Sequence, residues 1–433
     1  MIWILYNVLF VFVYLLLLPR YLLRMRRRGG YRRGFLQRFA IYGPAVRARL
    51  AEKGNRIWVH AVSVGEVYVG LRFIEALRRA RPETAFILTT TTSTGHRVAA
   101  AGLAEDDVLL YFPSDVPGIV RRAVRQLRPR AVLLVENELW PNLLREADRR
   151  GIPVFLVNGR ISAASYRGYR KVRWMTRRAL PLVRRFLVQS EDDAARLRAL
   201  GAPAERVRAV GSAKYDVVRD DPAGAARARA VLRNAGLGER DLLLVGGSTW
   251  PGEEAALLRV YRALKPHTPA LRLVLVPRHV ERRPEIEEEI ARQGLAHSRR
   301  SALDARTEAG PVDILLVDTT GELRGLYTAA TVIFVGKSLT QTGGQNIIEP
   351  ALPGKPIIVG PHLENFPGVA DDFRQADALV QVEDEDGLRE AVRMLLDDPE
   401  RRAAYGRRAR ELVERKRGVV AASVEMLAAE LFA

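Results

Sequence analysis

Short, wholly apolar runs recur along this chain from Arg56 onward, each closing on a polar or glycine-bearing motif and separated from the next by a helix-length segment. Ile57-Trp58-Val59 runs into HAVSVGEV (60–67), and Phe86 to Thr90 leads to the turn Thr91 to Gly95. Val108 to Tyr111 precedes a helix from about Pro117 to Leu127, and Ala131 to Val135 stops at ENELWPN (136–142). Val154 to Val157 stops at NGRIS (158–162), Phe186 to Val188 at Gln189-Ser190, and Val207 to Val210 at GSAKYD (211–216). Runs that short, apolar on both faces rather than alternating, are strands of a parallel sheet covered by helices on either side. In such a sheet the C-terminal strand ends share one rim, so the motifs should gather there.

Residues 217–237 are rich in Arg, Ala and Gly and contain Asp220-Asp221-Pro222; we expect a linker there. The alternation then restarts. Leu242 to Val245 ends at GGSTWPGEE, Leu271 to Val276 at PRH (277–279) and Ile314 to Val317 at DTTGEL (318–323). Val332 to Val335 opens the stretch GKSLTQTGGQNIIEPALPGKPIIVGPHLENF (336–366), and helices near Glu385 to Leu396 and Glu400 to Val413 follow. The expected fold is α/β: two Rossmann-like doubly wound domains facing a cleft, 25–216 and 238–433, with a membrane helix in 1–24.

That helix is expected because residues 2–18 are apolar apart from Asn7 and two tyrosines, about 25 Å of helix. No charged segment precedes it and no cleavage site follows, which argues against a cleaved signal. Arg20, Arg24, Arg26, Arg27 and Arg28 would hold the following chain in the cytoplasm. The formal net charge of +19 is concentrated: residues 1–51 and 149–190 contain no acid at all. Patches of that kind suit anionic lipid, a phosphorylated substrate or nucleic acid. With no cysteine, disulfides and thiolate metal sites are excluded, and the six histidines fall in no ligand spacing, so no metal is expected.

Glu66 begins a helix after Ser63-Val64-Gly65, where a carboxylate facing a cleft can take a proton from an attacking hydroxyl. The same S-x-x-E spacing is a capping box. Glu136 and Glu138 end an apolar strand, an unfavourable place for carboxylates unless partnered or used; as a pair on one side they can play separate acid, base or electrostatic roles, or equally pair with Arg130 or the Arg160 loop. Lys214 and Arg278, each just past a strand, suit a departing phosphate. Gly343-Gly344, with a helix over Gln345 to Leu352 and a strand Pro356 to Val359, should form an anion-binding turn, with Glu349 placed for a ribose diol. Ser248-Thr249 and Thr320-Gly321-Glu322 read as helix caps. Neither a P-loop nor a GxGxxG fingerprint is present.

HAVSVGEV, ENELWPN, NGRIS, GSAKYD, VPRH, DTTGEL and GGQNIIEPALPGKPIIVGPHLENF occur in that order. The set resembles the Kdo transferases of lipopolysaccharide synthesis, membrane-associated glycosyltransferases of the GT-B type. The resemblance implies transfer of 3-deoxy-D-manno-oct-2-ulosonic acid (Kdo) from CMP-Kdo to a lipid A precursor (lipid IVA) at the cytosolic face of the inner membrane. It also implies inversion, no bound metal or cofactor, and no nucleic-acid partner. Glu66 falls on the catalytic base, and Glu136 and Lys214 on transition-state stabilisers. Pro277, Arg278, Thr320, Gly321, Glu322, Asn346, Ile347, Ile348 and Glu349 fall on CMP-binding positions. The family motif usually reads GGHNPLE; here Gln345 and Ile347 replace its histidine and proline. Other readings of the residues are a GT-B transferase with another nucleotide sugar and lipid acceptor, or a non-catalytic basic scaffold binding anionic lipid or nucleic acid.

Overall fold

The computed structural model describes residues 3–14, 16, 34–303 and 312–432. The chain divides into two compact units, Met1–Val217 with Arg417–Ala433, and Val218–Lys416.

In the first unit the strands are β1 (Ile57–His60), β2 (Phe86–Thr90), β3 (Val108–Tyr111), β4 (Ala131–Val135), β5 (Val154–Gly159), β6 (Arg185–Val188) and β7 (Val207–Ala209). They form one seven-stranded sheet in the order β3-β2-β1-β4-β5-β6-β7. All pairings are parallel. Every residue of β1, β2 and β4 is buried, as the unbroken apolar runs require. Strand order reverses between β1 and β4, the crevice where doubly wound sheets bind ligands.

The second unit repeats the plan. Its strands are β8 (Leu242–Thr249), β9 (Leu271–Pro277), β10 (Ser298–Arg299), β11 (Ile314–Leu316), β12 (Val332–Val335), β13 (Ile357–Val359) and β14 (Val380–Gln381). Their order is β10-β11-β9-β8-β12-β13-β14, again parallel, with the reversal between β8 and β12.

Three boundaries differ from the sequence reading. The span expected as a linker holds the helix Pro222–Asn234, capped by the Asp221 carboxylate and packed through Gly224 and Ala228 on Gly325 of the helix Leu323–Ala329. The chain does not end in the second unit either. A helix Val419–Leu431 returns to the first, where Val420, Val424 and Leu427 join the core of Val59, Phe73 and Val135. Its start is fixed by Asp216, whose carboxylate accepts the Gly418 and Val420 N–H groups.

The third concerns the N-terminus. Residues 3–14 and 16 are helical, and among the described residues no helix is long and apolar enough to cross a membrane. Residues 2, 15, 17 and 18 of the expected span and the following arginine cluster lie outside the described residues. One face of this helix is aromatic: Tyr6, Phe10 and Tyr14, spaced by four, stack as a ladder with ring centroids 5.6 and 6.1 Å apart. That ladder faces the domain. The Tyr6 hydroxyl donates to Asp115 Oδ2 at 3.1 Å, Asn142 Nδ2 donates to Asn7 Oδ1 at 2.8 Å, and the Tyr14 and Ser114 hydroxyls are 3.1 Å apart. Asp115 accepts in turn the Asn142 and Leu143 N–H groups that open the helix Pro141–Asp148. Ile4, Val8, Phe12 and Leu16 are left exposed on the other side.

Candidate active site

The helix Val64–Ala80 starts directly after β1, and its first turn is closed by a complete capping box. Glu66 Oε1 accepts the Ser63 hydroxyl at 2.8 Å and the Ser63 N–H at 3.3 Å, and Oε2 accepts the Val62 N–H at 2.9 Å. The structural alternative raised by the sequence is therefore realised, but it leaves a chemical tension. Burial pushes the carboxyl up to about 7, against the bonds from Val62 and Ser63, and the charges of Glu136 and Glu138 push the same way. A carboxyl balanced near neutrality is suited to general-base work.

Across the strand-order reversal, β4 ends at Val135 and the next residue, Glu136, adopts a left-handed conformation with φ 62°. Asn158 in β5 does the same with φ 51°. Non-glycine residues avoid that region unless their surroundings fix them there, and such turns re-aim side chains at functional sites. The strain is anchored by contacts. Glu136 Oε1 lies 3.0 Å from Lys214 Nζ and 3.4 Å from Asn158 Nδ2, while Asn158 Oδ1 accepts the Ala213 N–H at 2.9 Å. Lys214 is a partner of Glu136. Three strand ends thus converge on one carboxylate.

Glu138 turns the other way. Its Oε2 accepts the Trp140 indole N–H at 2.9 Å and lies 3.6 Å from His60 Nε2. His60 is buried at the end of β1, stacked on Phe112 with centroids 3.7 Å apart. Its Nδ1 is 3.1 Å from the Thr89 carbonyl, an acceptor only, which places the ring proton on Nδ1 and aims Nε2 at Glu138. His60, Trp140 and Asn158 were not singled out from sequence. His60 and Asn158 each sit where a strand run meets its polar motif, the one available signal.

In the second unit the reversal is bridged by a residue that sequence reasoning also passed over. Glu253 is fully buried, and its carboxylate accepts the N–H groups of Trp250, Lys337, Ser338 and Leu339 at 2.8 to 3.0 Å. Burial raises its pKa against those bonds. The turn after β12, expected to bind a ligand's anion, thus has these donors committed to a protein carboxylate. Gly343 and Gly344 have φ 116° and 71°, and the Gly343 N–H donates to Glu364 at 2.6 Å. The helix expected over Gln345 to Leu352 shrinks to Ile348–Ala351: Pro350 has no N–H to bond the Asn346 carbonyl, so no turn forms before it, and Pro353 and Gly354 follow the end. Ser248 and Thr249 lie inside β8, and Gly252 caps the following helix Glu253–Leu264 instead.

Of the expected donor-site residues, Arg278, Thr320 and Gly321 are exposed just beyond β9 and β11, whereas Pro277 is the buried last residue of β9. Glu322 pairs with Arg300 at 2.9 Å and Glu349 with Arg324 at 3.1 Å. Asn346 Oδ1 accepts the Ile348 N–H at 3.0 Å. The side chains of Ile347 and Ile348 are fully buried, so only their backbone is left for a ligand.

Residues 33–217 match the family model for 3-deoxy-D-manno-octulosonic-acid transferase (kdotransferase). A 3-deoxy-D-manno-octulosonic acid transferase from Bordetella pertussis is 38% identical over 89% of this chain and 90% of its own length. The chain belongs to the Kdo transferase family. It is a glycosyltransferase that transfers Kdo. The family's enzyme from Haemophilus influenzae is 30% identical over 91% of this chain and 94% of its own. Among solved structures, a UDP-GlcNAc 2-epimerase from Neisseria meningitidis superposes with a TM-score of 0.57 at 14% identity, covering 87% of this chain and all of that one (100%). A putative UDP-N-acetylglucosamine 2-epimerase from Listeria monocytogenes gives 0.58 at 13% identity, covering 87% and 97%. Those two establish the Kdo transferase's fold and nothing about its substrates.

Proposed function

We propose that this Kdo transferase moves Kdo from CMP-Kdo to a phosphorylated lipid A precursor, lipid IVA or a close relative, during lipopolysaccharide core synthesis. The observation that carries the reading is the carboxylate group at the first unit's strand-order reversal. Glu66 is raised to about 7 by burial, beside Glu136 paired to Lys214. In the proposed step Glu66 accepts the proton of an acceptor hydroxyl, and the oxygen forms a bond to the anomeric carbon of Kdo. The bond from that carbon to the phosphate oxygen breaks, and CMP leaves with the electron pair. Attack opposite the leaving group inverts the centre. Lys214 and Glu136 fix the site's charge for that transition state. The cytidylate is assigned to the second unit, on Arg278, Thr320 to Glu322 and Asn346 to Glu349, with no cofactor.

The acceptor's phosphates are assigned to the helices Ala163–Lys171 and Arg173–Ala179, where Arg167, Arg170, Lys171, Arg173, Arg177 and Arg178 are all exposed. The exposed side chains of Ile4, Val8, Phe12 and Leu16 support membrane association through an apolar face in the interface. Mass spectrometry after incubation with CMP-Kdo and a tetraacylated lipid A precursor tests the reading. The expected product carries added Kdo; an unchanged acceptor, with a UDP-sugar consumed instead, would overturn it.

A further inference from the structure

Beneath the N-terminal helix lies a cavity of about 400 Å³, lined without any charged side chain. One wall is Leu9, Phe10 and Val13; the other is Trp140, Tyr169 and Trp174, and Val172 sits at its edge. The volume falls in the range of small-molecule sites. An apolar hollow of this size has no use for a soluble nucleotide sugar, and its placement ties it to the reaction. Trp140 forms its wall with one edge and donates its indole N–H to Glu138 with the other, and Tyr169 reaches Asn137 of the same motif at 3.5 Å. Glu138 in turn acts electrostatically on Glu66.

The surroundings supply the rest of an amphiphile's chemistry. The segment that carries Tyr169, Val172 and Trp174 turns six exposed cations outward, three from each helix. The helix that roofs the cavity exposes aliphatic side chains on its far side. Apolar interior, cationic rim and an apolar outer face together match a lipid with a phosphorylated headgroup.

We propose that this cavity takes one acyl chain of the acceptor, seating its sugar headgroup against the Glu138 and Glu66 side of Trp140. The inference rests on the lipid-acceptor reading above and adds a specific subsite, with residues 3–14 acting as part of the substrate site. Acceptor selection by acyl chain then follows from cavity shape.

Two measurements test it. Val172→Trp and Leu9→Trp fill the cavity from half-exposed positions. Each excluded methylene is worth about fourfold in binding. The KM for a tetraacylated precursor should therefore rise about tenfold or more. The KM for CMP-Kdo and the rate on an acceptor stripped of its acyl chains should not change. Separately, an acceptor analogue with a brominated acyl chain should quench the tryptophan fluorescence of the unaltered protein, and Trp174→Phe should lose part of that quenching. Filled variants that keep the parent KM, or an analogue that does not quench, overturn the subsite. If the unaltered protein transfers Kdo to neither acceptor, the functional reading fails instead, and the quenching still decides the cavity.

Discussion

Replacing Glu66 with Gln should lower activity and raise stability at once, and the second effect should shrink as pH falls. Burial moves the carboxyl from 4.5 to about 7. At about 1.4 kcal/mol per tenfold, its ionised form is disfavoured in the folded protein by about 3 kcal/mol. Between those two values the folded state holds a proton that the unfolded chain has released, so stability falls as pH rises through the window and levels off above about 7. Gln carries no such penalty. Its amide oxygen can accept the Val62 N–H, as a protonated carboxyl does at low pH. The variant should accordingly be more stable than the parent by about 3 kcal/mol at pH 8, and by less than about 1 kcal/mol near pH 5, where the folded parent is protonated too. Urea unfolding at the two pH values reads this directly. Initial-rate assays should show turnover reduced by about 100-fold or more, with the parent's kcat/KM rising through pH about 7. A variant that keeps turnover within about tenfold removes Glu66 as the base. One that is destabilised at both pH values shows that the capping bonds, not the buried charge, dominate.

Lys214→Met strips Glu136 of its 3.0 Å partner in a mostly buried setting; it should cost about 2 kcal/mol or more in urea unfolding and lower turnover about 100-fold. Arg278→Ala should weaken CMP about tenfold by calorimetry and leave cytidine binding, which lacks the phosphate, unaffected. Gly344→Ala forces a residue with φ 71° to place its Cβ 2.7 Å from the His362 carbonyl, at a cost of about 1 to 3 kcal/mol measurable by thermal unfolding. Truncation after Lys416 removes Val419, Val420, Val424, Leu427 and Leu431 from the first unit's core. At about 1.5 kcal/mol or more each, the loss rivals a whole domain's stability. Limited proteolysis should then digest the first unit and spare the second.

The parts of this fold that sequence made legible are those where burial alone dictates residue type. Phe86–Thr90, Val108–Tyr111, Ala131–Val135 and Val332–Val335 are as the runs indicated, because a parallel strand covered on both faces is filled mostly by apolar and β-branched residues. The edge strands Ser298–Arg299 and Val380–Gln381 are two residues long and carry no pattern to detect. For the site, position in the motif marked Glu66, Glu136 and Lys214, but not their relations. The pairing of Glu136 with Lys214 depends on backbone twists at Glu136 and Asn158 that no composition encodes. The helix Val419–Leu431 lies beyond the last helix read from sequence, and only packing shows which unit it completes.

That last helix sets an order of events during synthesis. The chain emerges from the ribosome N-terminus first, and domains ordinarily fold in the order they appear. Here the earlier unit lacks part of its core until Val419 to Leu431 is released, whereas the residues of the later unit, Val218 to Lys416, are already complete. The unit that begins first is therefore the one that finishes last. Throughout translation of the second unit, the side of the helix Val64–Ala80 that the last helix packs against stays uncovered, and the core places of Val420, Val424 and Leu427 stay empty.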